Sequence, residues 1–201
     1  MYYKDLFVRS YARSASNFII YNASHIAPDL NIHKGTWREL NKNINNHVTV
    51  SVLRNPKDSI VSDISMSVFD MKYDTEQIAQ LNYQKSIDAF REYIILLNKN
   101  INNIIPFTFE QITKNPEKTF KVFLQECGYK KNFSFPNVEI KQKILNNEIM
   151  NKKQIFLPSS KHLNIYNKML NYINNDNNFK SIVNEYDECK LNIYARQLDF
   201  L

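Results

Sequence analysis

The sequence predicts an α/β domain: a parallel sheet of about four to five strands flanked by helices, with a helical C-terminal part. Three observations predict it. Short runs of apolar and β-branched residues alternate with segments whose apolar residues recur at helical spacing. The order is strand, helix, strand, helix, strand, helix, then a further strand and more helices, which is the order of parallel βαβ units. The chain has 201 residues and shows no internal repeat or linker, so 1–201 is expected to form a single domain.

Each element has its own signal. "DLFVRSY" (Asp5–Tyr11) is a short strand carrying Leu6, Phe7 and Val8. "SASNFIIYNASHIA" follows with Phe18, Ile19, Ala23 and Ile26 at helical spacing. "DLNIHKG" (Asp29–Gly35) is a brief second strand, and "TWRELNKNI" a short helix with Thr36 and Glu39 as a capping box. "HVTVSVL", rich in Val, is the clearest strand. "DSIVSDISMSVF" places Ile60, Ile64 and Val68 four apart, with its helix expected to start near Asp58. The longest helix is expected from about Thr75 to Asn98, capped by Asp74, with an apolar face of Ile78, Leu81, Ile87, Phe90, Ile94 and Leu97.

"NIIPFTF" (Asn103–Phe109) is a strand that Pro106 assigns to a sheet edge or bend. "NPEKTFKVFLQECG" opens on an Asn115 cap with Pro116 just inside and closes on Gly128. Beyond Gly128 the chain is polar and helical, with loops expected at "IFLPSSKH" and at the Asn-rich "NYINNDNNF".

Composition narrows the function classes. Hydrophobic residues make up 43%, enough for a packed core. There are only 2 Gly, where about fourteen is usual, and tight phosphate-binding turns ordinarily want glycine. The net charge of +6 and the pI of about 9.1 favour anionic partners without choosing among them. The 2 Cys do not make a disulfide framework, so a reducing cytoplasm is expected. Lys4, Asp5 and Arg9 break any apolar leader, and no run of about 18 apolar residues exists, so no membrane association is expected. Lys and Arg are scattered rather than interleaved with aromatics, so nucleic acid is not an expected partner.

In parallel sheets ligands bind beyond the carboxyl ends of the strands. After the first strand comes "YARSASNF", Tyr11–Phe18. Amides at a helix start favour an anion, and Arg13 adds a fixed charge with a fork of donors suited to phosphate oxygens. Ser14, Ser16 and Asn17 add side-chain donors, although either serine also fits as a plain N-cap. The Walker pattern is absent. After the third strand comes "LRNPKDSIVS", where Arg54 and Ser62, one on each side of the Pro56 turn, can converge on one anion.

Taken together, these two stretches resemble the PAPS-dependent sulfotransferases. That family carries a 5′-phosphosulfate loop, Tyr-Pro-[Lys/Arg]-Ser-Gly-[Ser/Thr]-[Thr/Asn]-Trp, directly after its first strand. Tyr11–Phe18 matches it in kind, with Ala12 for Pro, Ala15 for Gly and Phe18 for Trp. The family's Arg-Asn-Pro-Lys-Asp-x-x-x-Ser is matched at every defined position by Arg54–Ser62. "PFTFEQITKNPEKTFKVFLQECG" is similar to the family's strand ending in Tyr-Glu-Asp-Leu and the helix after it. The resemblance covers roughly residues 5 to 128.

The resemblance implies a P-loop-like fold and transfer of a sulfonate group from PAPS to a hydroxyl or amine, releasing PAP, with no metal required. Arg13 would contact the 5′-phosphate and the bridging oxygen. Ser14, Ala15, Ser16 and Asn17 would cradle the 5′-phosphate, and Arg54 and Ser62 would clamp the 3′-phosphate. His33, in "NIHKGTW", partly matches a Lys-x-His element whose histidine is the base; it is expected at the end of the second strand, and a structural histidine is the other reading. Glu110 fits a structural role better than a catalytic one. The family's C-terminal Arg-Lys-Gly element is missing, and Ser159, Ser160 and Lys161 are candidate substitutes. Ala15 is expected to follow the loop with a negative φ.

The acceptor, small molecule or carbohydrate, is not specified by the sequence, and neither is the oligomeric state. Two rival readings stay open: a nucleotide- or anion-binding protein without turnover, and a kinase-like phosphotransferase.

Overall fold

The computed structural model describes residues 3–11, 14–42, 47–71, 75–135, 167, 169–171 and 173–198; of 65–71, 75–81 and 198 the backbone alone is described. Arg13, Lys161 and the "IFLPSSKH" segment lie outside the described residues.

Four strands form one all-parallel sheet in the order β2-β1-β3-β4. These are β1 (Asp5–Ser10), β2 (Ile32–Thr36), β3 (His47–Leu53) and β4 (Ile105–Thr108). Register pairs Phe7 with both His33 and Thr49, and Leu53 with Thr108. α1 (Ser16–Ile26) links β1 to β2, and α2 (Pro56–Met71) and α3 (Thr75–Lys99) link β3 to β4. α4 (Phe109–Lys114), α5 (Pro116–Glu126) and a C-terminal α6 (Asn177–Leu198) complete the described elements.

Strand alternation splits the core in two. Val48, Val50 and Val52 point to one face and pack with Leu6, Val8 and residues of α1 and α5. Leu53 joins the core on the opposite face, with Ile60 and Ile64 of α2, Phe90 and Tyr93 of α3, and Ile182 and Ile193 of α6. The sheet is therefore covered on both sides, as an all-parallel sheet requires.

Pro106 lies on an edge strand, as its missing N–H demands. Its carbonyl accepts from Gln197 Nε2 of α6 at 2.8 Å, so the last helix covers that edge. The chain's two glycines both have work. Gly128 has φ 91° and closes α5 in a Schellman motif, with Tyr129 N donating to Leu124 O and Gly128 N to Gln125 O, each at 2.9 Å. At Gly35 a Cβ would come within 2.9 Å of Arg9 Cγ. That open side lets the 1%-exposed Arg9 reach the Glu39 and Lys42 carbonyls at 2.9 and 3.3 Å. Burial lowers the Arg9 pKa, partly opposed by the nearby Glu39 charge.

Two element expectations are corrected. The Asn-rich stretch is largely helical, interrupted by a turn at Asn175 and Asp176. Asp176 Oδ1 accepts from Asn178 N at 2.9 Å and so starts α6. α2 begins at Pro56 rather than near Asp58, because Asn55 Oδ1 accepts from Lys57 N at 2.9 Å.

Candidate functional site

The strand order contains a switch point. From β1 the chain crosses to β2 on one side, and β3 then joins β1 on the other side. In open α/β sheets a crevice forms where neighbouring connections diverge in this way. The β1–β3 backbone pairing runs only to Val8 and Val50. Beyond it two serine hydroxyls hold the strand tips: Ser51 Oγ donates to Arg9 O at 2.6 Å, and Ser10 Oγ accepts from Val52 N at 2.9 Å.

One wall of the crevice is the start of α1. Ser14 is buried, Ser16 is the first helical residue, and Asn17 the second. Lys34 Nζ of β2 donates to Asn17 Oδ1 at 2.9 Å, bringing a cation to the head of this helix. Ala15 occupies the N-cap position with φ 67° and ψ 14°, in the left-handed region. The expected negative φ is therefore wrong. A left-handed alanine costs roughly 1–2 kcal/mol. The turn adopts a conformation suited to glycine although the residue is alanine, so the surrounding structure holds the loop path.

The other wall is the head of α2. Arg54 follows the last residue of β3, with its guanidinium carbon 4.5 Å from the Phe109 ring centre at the tip of β4. Ser62 is half-buried on α2. The structure thus brings Ser14, Ala15, Ser16 and Asn17 to the tip of one central strand, and Arg54 to the tip of its neighbour. Two helix N-termini and two fixed cations, Arg54 and Lys34, make this end of the sheet favourable to anions.

His33 does not belong to this group. It is the second residue of β2, three short of the strand's carboxyl end, about 10 Å away along a strand. Its ring stacks on Phe7 at 4.6 Å, and Nε2 lies 3.4 Å from Asp5 Oδ2, toward the amino ends of the strands. The expected position at the end of the second strand is corrected, because β2 continues through Gly35 to Thr36. Thr36 and Glu39 form the expected capping box, on a 3₁₀ turn (Trp37–Glu39).

One arrangement was invisible in sequence. Tyr11, directly after β1, directs its hydroxyl into the α2–α3 side. It lies 3.2 Å from Ser86 O and 3.5 Å from Asp63 Oδ2, to either of which its single proton can be donated. No local pattern joins residues 52 positions apart. The Asn55 cap, by contrast, had a signal in its Asn-Pro; the same pair at Asn115 and Pro116 also starts a helix, but there the expected cap is corrected, because the Asn115 side chain makes no capping hydrogen bond.

Compared with known proteins, the chain matches no family model and no curated protein. Among the described residues, no helix is long and apolar enough to cross a membrane.

Proposed function

We propose that this chain binds a doubly phosphorylated adenosine across the β1–β3 crevice and transfers a sulfonate group from PAPS to a hydroxyl or amine, releasing PAP. The observation that carries the reading is the glycine-like turn at Ala15, one strand away from Arg54. The α1 amides with Ser14, Ser16 and Asn17 take the 5′-phosphate, and Arg13 stabilises the leaving oxygen. Arg54 and Ser62 take the 3′-phosphate. Sulfonate transfer resembles phosphoryl transfer in needing alignment and charge neutralisation more than covalent chemistry from the protein.

A second reading, nucleotide binding without turnover, is favoured by the histidine's position. Aligned on Lys34, the Lys-x-His spacing puts Thr36 where that element has its base. Sulfur-labelled PAPS offered with phenolic, sugar and amine acceptors separates the two readings. Labelled product supports transfer. Protection of the fold by PAP with no product supports binding alone, and the absence of both product and protection overturns both readings.

A further inference from the structure

We propose that Tyr93 is a positioning residue for the nucleotide: its hydroxyl fixes the spacing of the β1 and β3 tips, and with it the distance between the Ala15 turn and Arg54. The role rests on the nucleotide reading above and extends it to α3. Backbone pairing of β1 with β3 ends at Val8 and Val50. Both clasps lie beyond that point, so side chains rather than ladder bonds decide how far apart the tips stand. Tyr93 is fully buried on α3. Its Oη donates to Val52 O at 2.8 Å and lies 3.0 Å from Ser51 Oγ, and Ser51 Oγ donates to Arg9 O at 2.6 Å. One phenol is thus joined directly to β3 and, through one serine, to β1.

Each hydroxyl has a single proton. With that of Ser51 on Arg9 O, the Tyr93 proton is shared between Val52 O and Ser51 Oγ, so the bonds run one way, from α3 through β3 to β1. Burial raises the pKa of the Tyr93 phenol, opposed by its bond to Ser51, so it stays a donor. Its ring centre lies 5.9, 6.2 and 6.1 Å from those of Tyr11, Trp37 and Phe90, and this packing fixes where the hydroxyl stands. A ligand gripped at two ends gains affinity only when the spacing of the grips matches its length. A nucleotide with one phosphate meets one clasp and is indifferent to that spacing. The ratio of the two affinities therefore reads the spacing itself.

The test is calorimetric titration of the parent, Tyr93→Phe, Ser51→Ala and Tyr129→Phe with PAP, adenosine 5′-phosphate and adenosine 3′-phosphate. Tyr93→Phe keeps the ring and removes the hydroxyl. It is expected to weaken PAP by about 10-fold or more, with each monophosphate within about 2-fold of its parental affinity. Ser51→Ala cuts the tie to β1 alone; it should give the same selective loss, and it serves if Tyr93→Phe fails to fold. Tyr129→Phe removes a buried phenol bond, 2.7 Å to Ile26 O, in the core on the other face of the sheet, and should leave the ratio unchanged. Either Tyr93→Phe or Ser51→Ala keeping the parental ratio overturns the positioning role. So does a fall in monophosphate affinity as large as that in PAP, or a Tyr129→Phe that loses the ratio as well, since lost stability alone would then explain the effect. A parent that binds PAP no more tightly than either monophosphate refutes the two-ended nucleotide reading itself.

Discussion

The Ser10 hydroxyl accepts a 2.9 Å hydrogen bond from Val52 N, at the point where β1 and β3 no longer pair through their backbones. Both residues are buried. A serine side chain thus completes the ladder and allows the strand tips to separate toward their loops. Ser10→Ala would leave the Val52 N–H without this acceptor. We expect a loss of about 1–3 kcal/mol, read as a lower urea midpoint with unchanged slope. A change below about 0.5 kcal/mol, the range of ordinary surface substitutions, would deny the hydroxyl this role.

Ala15→Gly should stabilise the protein. The left-handed φ of 67° penalises any Cβ, and its removal returns up to about 1 kcal/mol after glycine's extra chain entropy is subtracted. Ala15→Val should cost more than Ala15→Gly gains. Thermal unfolding of both variants measures the difference, and a destabilised glycine variant would show that the turn is not strained.

Gly35 has a different reason for being glycine. Its missing side chain leaves room for Arg9, whose Cγ would lie 2.9 Å from an added Cβ. Gly35→Ala should destabilise by about 1–3 kcal/mol through overpacking. It should also loosen the Arg9 bonds to the Glu39 and Lys42 carbonyls, seen as faster amide exchange in the turn that follows β2. A neutral substitution would mean that Arg9 can move aside freely.

Cys127 and Cys189 are buried, and burial pushes both thiols up to about 12 from 9.0. Each is thus protonated in the folded protein at pH values where the unfolded chain has already lost the proton. Stability is unaffected below pH 9 and falls as the pH rises from there toward 12. Thiol labelling at pH 8 should be slow and should track unfolding. Rapid labelling of the native protein would contradict this burial.

The sequence specified the frame more fully than the site. Val48, Val50 and Val52 alternate strictly, and β3 has the limits that this pattern predicts. Pro106 announced an edge strand through its missing donor, and Asn115 with Pro116 marked the start of α5. The Asn-rich stretch misled because asparagine has low intrinsic helix propensity. Burial of Phe179 and Ile182 against the core overrides it. The position of Arg54 at a strand tip was legible because the Val-rich alternation fixes where β3 ends. His33 was misplaced because its short strand has no apolar alternation to fix where it ends. Tyr11 and Asp63 meet only through the tertiary fold, 52 positions apart in sequence, which no local pattern encodes.

Calorimetric titration with PAP, using the parent and Arg54→Ala, tests the central claim most directly. We expect the parent to bind PAP more tightly than adenosine 5′-phosphate, through the additional 3′-phosphate. Arg54→Ala should lose most of that preference while its unfolding remains cooperative. Equal affinity for the two nucleotides in the parent, or an undiminished preference in Arg54→Ala, would contradict a 3′-phosphate site at the tip of β3.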